Sequence, residues 1–226
     1  VELESTFRDT MARGGSAAFL LDRFHMDLET FTHTEVDPGL AGLLASYGIT
    51  IGDKLVADAQ CTTISLMMRT NLFPIPVPVK YPFMPQVQRL SGDSAITEGI
   101  GNIVFPFATF VDVNPPVGTT STVLAKSSDK SWLEENPPNF NPQRDWGKEE
   151  IVPAGPYNLI VQLTGRFPRH FPEAPGATDA NEAKDKKDDA REARIIVAGG
   201  SNFIWDRYLG RTNQALAANL VDWMVL

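Results

Sequence analysis

The sequence predicts an α/β fold, with a mostly parallel central sheet flanked by helices and a β-rich, proline-rich insertion. Three observations carry this expectation. Strand-like and helical segments alternate at both ends of the chain. The apolar runs 17–21 and 195–198 are unbroken, as strands covered on both faces are. Between them, residues 71–156 are rich in proline and in short β-prone runs.

Leu3, Phe7 and Met11 recur every four residues and are followed by Gly14-Gly15, which predicts a short amphipathic helix with a glycine stop. The run 17–21 then reads as a buried central strand ending at Asp22, and residues 23–35 as a polar, irregular loop leaving its carboxyl end. Asp37 as N-cap and Pro38 at the first helical position open a second helix. Its stripe is Leu40, Leu43, Leu44 and Tyr47, and Gly48 ends it. A short strand holds Leu55–Ala57 and stops at Asp58, and residues 62–68 suit another.

Prolines at 74, 76, 78, 82 and 85 make residues 71–88 an edge or an extended loop, because proline donates no ladder hydrogen bond. Residues 103–111 read as a strand interrupted by Pro106, residues 120–125 and 157–163 as further strands, and 134–156 as a long surface excursion. Residues 173–193 carry both charge signs and almost no large apolar side chains, which predicts a mobile charged loop, with a solvated helix over 182–194 as the alternative. The strand 195–198 runs into Gly199-Gly200-Ser201-Asn202. A last helix, over 213–225 with Thr212 as cap, places Leu216, Leu220, Trp223 and Met224 on one face.

Composition narrows the function classes. The 226 residues carry 28 acidic against 20 basic side chains, a net charge of −8, with no basic cluster to attract phosphates. Nucleic acid is therefore not an expected partner. A single cysteine, Cys61, excludes an intrachain disulfide and a CxxC metal knuckle. No apolar run is long enough for a membrane span, and both ends of the sequence read as cuts within a longer protein, of which 1–226 would be one domain, so the lack of a span here says little about the parent.

In an α/β sheet ligands lie beyond the carboxyl ends of the strands, which selects three turns. The first offers Asp22, His25 and Asp27. Asp22 and His25 are the residue types of a divalent-metal pair, but no third ligand is spaced to complete it, so no metal is expected. The second offers Asp58 and Cys61. No histidine is placed to deprotonate Cys61 and no glycine elbow surrounds it, so it reads as structural. The third is Gly199, Gly200, Ser201 and Asn202, where two glycines after a buried strand let backbone amides approach a ligand. It matches neither a dinucleotide fingerprint, a P-loop nor a nucleophile elbow. Asp22, His25, Asp58, Gly199, Gly200, Ser201 and Asn202 are thus candidate ligand contacts for an unknown small ligand. No catalytic residue and no cofactor is assigned. His33, His170, Trp132, Trp146, Trp205 and the pairs Glu134-Glu135 and Glu149-Glu150 read as loop or surface residues.

The order of several short segments resembles the GldG family of ABC-transport auxiliary proteins. They are residues 11–15 leading into 18–22, residues 39–49, the strand 55–58, Tyr81-Pro82-Phe83, residues 104–107, 127–132 and 195–203, and Asn219–Trp223. The resemblance implies an extracytoplasmic (periplasmic) domain of an inner-membrane protein that accompanies an ABC permease and ATPase, with a link to gliding motility. It also implies amidotransferase-like or flavodoxin-like layering without catalytic residues, similar to the N-terminal domain of certain intraflagellar transport proteins. The expected role is a non-catalytic binding or interaction domain. A hydrolase or amidotransferase-like enzyme working in the strand-end crevice is the competing reading.

Overall fold

The computed structural model describes residues 2–27, 30–69, 73–167 and 191–225. Its largest sheet has five strands in the order β1 (Ser16–Leu20), β13 (Glu192–Ala198), β12 (Asn158–Arg166), β10 (Thr119–Lys126) and β7 (Arg89–Leu90). Among the described residues β1 and β13 form the one parallel pair, and every other pairing is antiparallel. The expected mostly parallel, helix-flanked sheet is therefore wrong. The unbroken run 195–198 reported two-sided burial correctly, but burial carries no information on strand direction. Ile195 and Val197 face one core and Ile196 and Ala198 the other.

One face of this sheet is covered by α1 (Glu2–Ala12) and α2 (Ala41–Ser46), through Met11, Leu43, Leu44 and Tyr47. The other is covered by α3 (Arg211–Val225) through Leu216 and Leu220, with Phe105 and Phe203 stacked at 4.8 Å beside them. Each fully buried Leu or Phe contributes about 1.5–3 kcal/mol, so these two faces hold the sheet in place. The run 17–21, expected to be central, forms the half-buried end strand β1.

Residues 23–35 are not an irregular loop. They form a hairpin, β2 (Phe24–Asp27) with β3 (Thr32–Glu35), in which Phe24 is buried and His25 and Asp27 are exposed. The period-2 alternation is too short to stand out among polar residues. Helix α2 begins later than Asp37 suggests, with Leu40 at the cap position. The Asp37 carboxylate instead accepts the Gly39 N–H at 2.9 Å, closing a turn before the helix. Gly48, at φ +72° against the Asn114 carbonyl, ends it as expected.

Beyond α2, β4 (Ile49–Asp58) pairs with β9 (Thr109–Val113) and β11 (Ser131–Leu133). A third sheet joins β5 (Cys61–Arg69), β6 (Pro74–Val87) and β8 (Ile103–Val104). Strands of the 71–156 segment thus enter all three of these sheets, β7 and β10 lying in the largest. A third core of Phe24, Tyr81, Phe83, Phe107 and Phe140 fills the space between the β2–β3 hairpin, β6 and residues 134–156. The charged segment 173–193 lies outside the described residues except for its last three, where β13 begins at Glu192 in place of a helix.

Candidate functional site

The parallel pair β1–β13 brings three of the sequence candidates together. One Asp22 carboxylate oxygen accepts the Ser201 backbone N–H at 2.7 Å and the Asn202 side-chain amide at 2.9 Å, and the other accepts the Ser201 hydroxyl. The residues end adjacent strands, so a short acidic side chain after β1 reaches the turn after β13. Chemically this is a carboxylate capping a strand-to-turn junction. All three donors come from the chain itself, and among the described residues the Asp22 carboxylate, which also accepts the Ser201 and Asn202 N–H groups, is the one basic group bonded to the hydroxyl.

Of the two glycines, Gly199 has a packing role and Gly200 does not. A Cβ on Gly199 would run into the Thr109 carbonyl oxygen, where the Gly199 carbonyl accepts the Thr109 N–H at 2.7 Å. Gly199 thus lets β9 approach the end of β13. A Cβ on Gly200 would meet only ordinary contacts, the nearest being Asp22 at 3.6 Å. His25 is exposed and stands beside Trp205, ring centres 6.0 Å apart, and does not join Asp22. Among the described residues no three His, Cys, Asp or Glu side chains are grouped to hold a metal ion.

Asp58 belongs to a different place. It is 1% exposed, and its oxygens accept the Gln60 N–H at 2.8 Å, the Ser128 N–H at 2.7 Å and the Ser128 hydroxyl at 2.6 Å. This locks the turn after β4 to the turn before β11. The half-buried Cys61 nearby has its thiol pushed up by burial, so it stays protonated at neutral pH. The expected common crevice for Asp22, Asp58 and Ser201 is two separate, internally satisfied junctions.

The Glu134-Glu135 pair is split. Glu134 is 5% exposed and ion-paired to Arg144, which also holds Glu149 at 2.5 Å and lies over the Trp146 ring at 4.0 Å. The hydrogen bond from Arg144 holds the Glu149 carboxyl below its usual range. These pairs brace 134–156 internally, and the buried Phe140, whose carbonyl accepts the Tyr81 hydroxyl at 3.0 Å, together with the Glu134 N–H bond to the Leu55 carbonyl, staples the segment to the body, so it is not a free surface excursion.

That stapling builds a site that the sequence reading missed. A groove of about 890 Å³ opens between the tip of the β2–β3 hairpin at residues 30–33, Leu66 and Met67 on β5, and residues 138–143. In the last wall Pro138, Phe140 and Pro142 are buried while Asn139, Asn141 and Gln143 are exposed. Asn139 and Asn141 accept the N–H groups of Asn141 and Gln143 at 3.1 and 2.9 Å, which fixes the wall and leaves their amide nitrogens without a partner among the described residues. Phe31 sits at φ +53°, a conformation that costs a bulky residue about 1–2 kcal/mol, and lines the groove. The period-2 alternation of 138–143 did not stand out in the sequence, because two of its three buried positions are prolines.

Among the described residues no helix is long and apolar enough to cross a membrane. No curated protein and no solved structure is significantly similar to the chain. A family model described as "ABC-type uncharacterized transport system" matches residues 11–225, in agreement with the family resemblance read from the segment order at the level of ABC-transport auxiliary proteins. On that match, which spans nearly the whole sequence, the chain belongs to this family of ABC-type transport auxiliary proteins.

Proposed function

We propose that the chain is a non-catalytic, extracytoplasmic binding or interaction domain, working beside the permease and ATPase subunits of its transport system. One observation carries the reading: the carboxylates at the strand ends, Asp22 and Asp58, each accept three hydrogen bonds from donors of their own chain, which orients both into structural junctions. A general base or a ligand-binding carboxylate needs a free lone pair directed at the reacting group. The groove beside β5 is an open surface available to a partner. A link to gliding motility rests only on the resemblance of segment order.

The competing reading, a hydrolase or amidotransferase-like enzyme, has Ser201 as its nucleophile. It lacks support because the Ser201 hydroxyl donates to Asp22 and, among the described residues, no histidine or lysine is bonded to either.

The test is co-purification of the intact protein with its permease and ATPase, together with ester and amide hydrolysis assays on the purified chain. Stoichiometric co-elution without hydrolysis is expected. Hydrolysis that disappears in a folded Ser201→Ala variant would overturn the proposal. For the compartment, Val117 is fully exposed, so a Val117→Cys variant in spheroplasts should react with a membrane-impermeant maleimide. Protection until lysis would place the domain on the other side.

A further inference from the structure

We infer that the open edge of β5 is a strand-addition site that takes an extended, uncharged peptide segment of a partner into the adjoining groove. The inference rests on the interaction-domain reading and names the surface and the partner chemistry.

The two edges of the β5–β6 ribbon are built differently. Pro74, Pro76 and Pro78 lie opposite Arg69, Met67 and Ser65. Proline has no N–H, so these are the non-hydrogen-bonded pairs of the ladder, and the bonded pairs are Met68 with Ile75, Leu66 with Val77 and Ile64 with Val79. In a non-bonded pair both residues turn their backbone polar groups outward. On the β6 side the outward positions are prolines with no donor to offer, which blocks further pairing along 74–78. On the β5 side the outward positions are Ser65, Met67 and Arg69, whose N–H groups have no partner among the described residues. One edge is closed and the other is left open.

The groove lies along that open edge. Leu66 and Met67 point to opposite faces of the ribbon, both line the groove and no residue of β6 does, which places the groove on the β5 side. Its opposite side is set by residues 30–33 and 138–143, which rise beside β5. This concavity admits a single extended strand and obstructs edge-to-edge docking of a second folded copy. The occupant's chemistry follows from the lining. In a chain of net charge −8, no Asp, Glu, Lys or Arg among the described residues lines the groove, and His33 is the one titratable side chain in its described lining. A charged segment would lose hydration without gaining a counter-charge. Amide nitrogens of Asn139 and Asn141 offer hydrogen bonds to a partner's carbonyls or hydroxyls, and Phe31 and the exposed Met67 offer apolar contact.

The probe is a synthetic decapeptide of alternating Thr and Val, with one terminal Lys at each end for solubility, titrated into the isotope-labelled chain. Saturable amide shifts and slowed hydrogen exchange at Ser65, Met67 and Arg69 are expected. The same peptide N-methylated at alternate residues should not bind. Met67→Pro deletes one outward N–H at a position that makes no ladder bond to Pro76, so it should fold normally and bind at least about tenfold more weakly, whereas Met67→Ala should retain most of the affinity. Absence of saturable binding, shifts confined to other surfaces, equal binding by Met67→Pro, or concentration-dependent self-association through β5 would each overturn the inference. If the peptide fails while permease and ATPase still co-purify, this site is wrong and the interaction-domain reading survives.

Discussion

The Asp22 carboxylate accepts the backbone N–H of Ser201, 179 residues further along the chain, at 2.7 Å. This bond ties the end of β1 to the turn after β13, the only place among the described residues where two strands run parallel. Asp22→Ala should therefore lower stability without unfolding the chain. Three accepted bonds are lost from a half-buried site, a cost of about 2–3 kcal/mol. Ser201→Ala removes one of them and should cost about 1 kcal/mol. Urea denaturation of both variants and of the double variant checks this, and the double variant should fall short of the sum because the residues share a bond.

The adjacent glycines should behave differently. Gly199→Ala drives a methyl group into the Thr109 carbonyl, and backbone cannot yield as a side chain can, so a loss of more than about 3 kcal/mol or failure to fold is expected. Gly200→Ala meets only ordinary contacts and should cost less than about 1 kcal/mol. Thermal melts of the two variants separate a packing role from a ligand-binding one, which would make Gly200 the sensitive position.

Arg144→Met should leave Glu134 as a buried, unpaired carboxylate and cost about 3 kcal/mol. Adding Glu134→Gln to that variant should recover part of the loss. Amide exchange across 138–143 should accelerate in the single variant, since Arg144 staples that wall of the groove.

Alkaline stability follows from the buried tyrosines. Burial pushes the Tyr47 hydroxyl up to about 12 and raises Tyr81 further. Both are neutral in the fold, and their folded values exceed the unfolded value near 10, so their contribution is complete below about pH 10 and is lost as pH rises through the folded values. For Tyr47 the loss amounts to about 2–3 kcal/mol. Denaturation midpoints should be flat with respect to these groups up to about pH 10 and then fall. Phe substituted at Tyr47 should flatten the fall, with tyrosinate absorbance reporting the transition.

The helices and most strands were legible because their signals are local. Phe7 and Met11 with Gly14, and Leu43, Leu44 and Tyr47 with Gly48, specify a stripe and its stop, and both helices end where expected, although α2 starts later than Asp37 suggests. Strand direction was not legible. The run 195–198 shows that both faces are covered, and only the pairing with β12 shows that the neighbour runs the other way. The strand-end rule did find Asp22, Ser201 and Asn202, which are brought together. It could not show that each donor and acceptor is already used within the fold, and it joined Asp58 to them although Ser128, a residue with no local signal, is its partner. The groove was missed because its three walls lie far apart in sequence and one was read as a loose excursion. Only Arg144, Glu134 and Phe140 acting at a distance make that wall rigid.

Hydrogen exchange on the purified chain, with and without the detergent-solubilised permease–ATPase complex, tests the central claim most directly. Slowed exchange at residues 63–69 and 138–143, with Asp22 and residues 199–202 unchanged, is the expected result. Protection centred on Asp22 and residues 199–202, or none anywhere, would contradict the account.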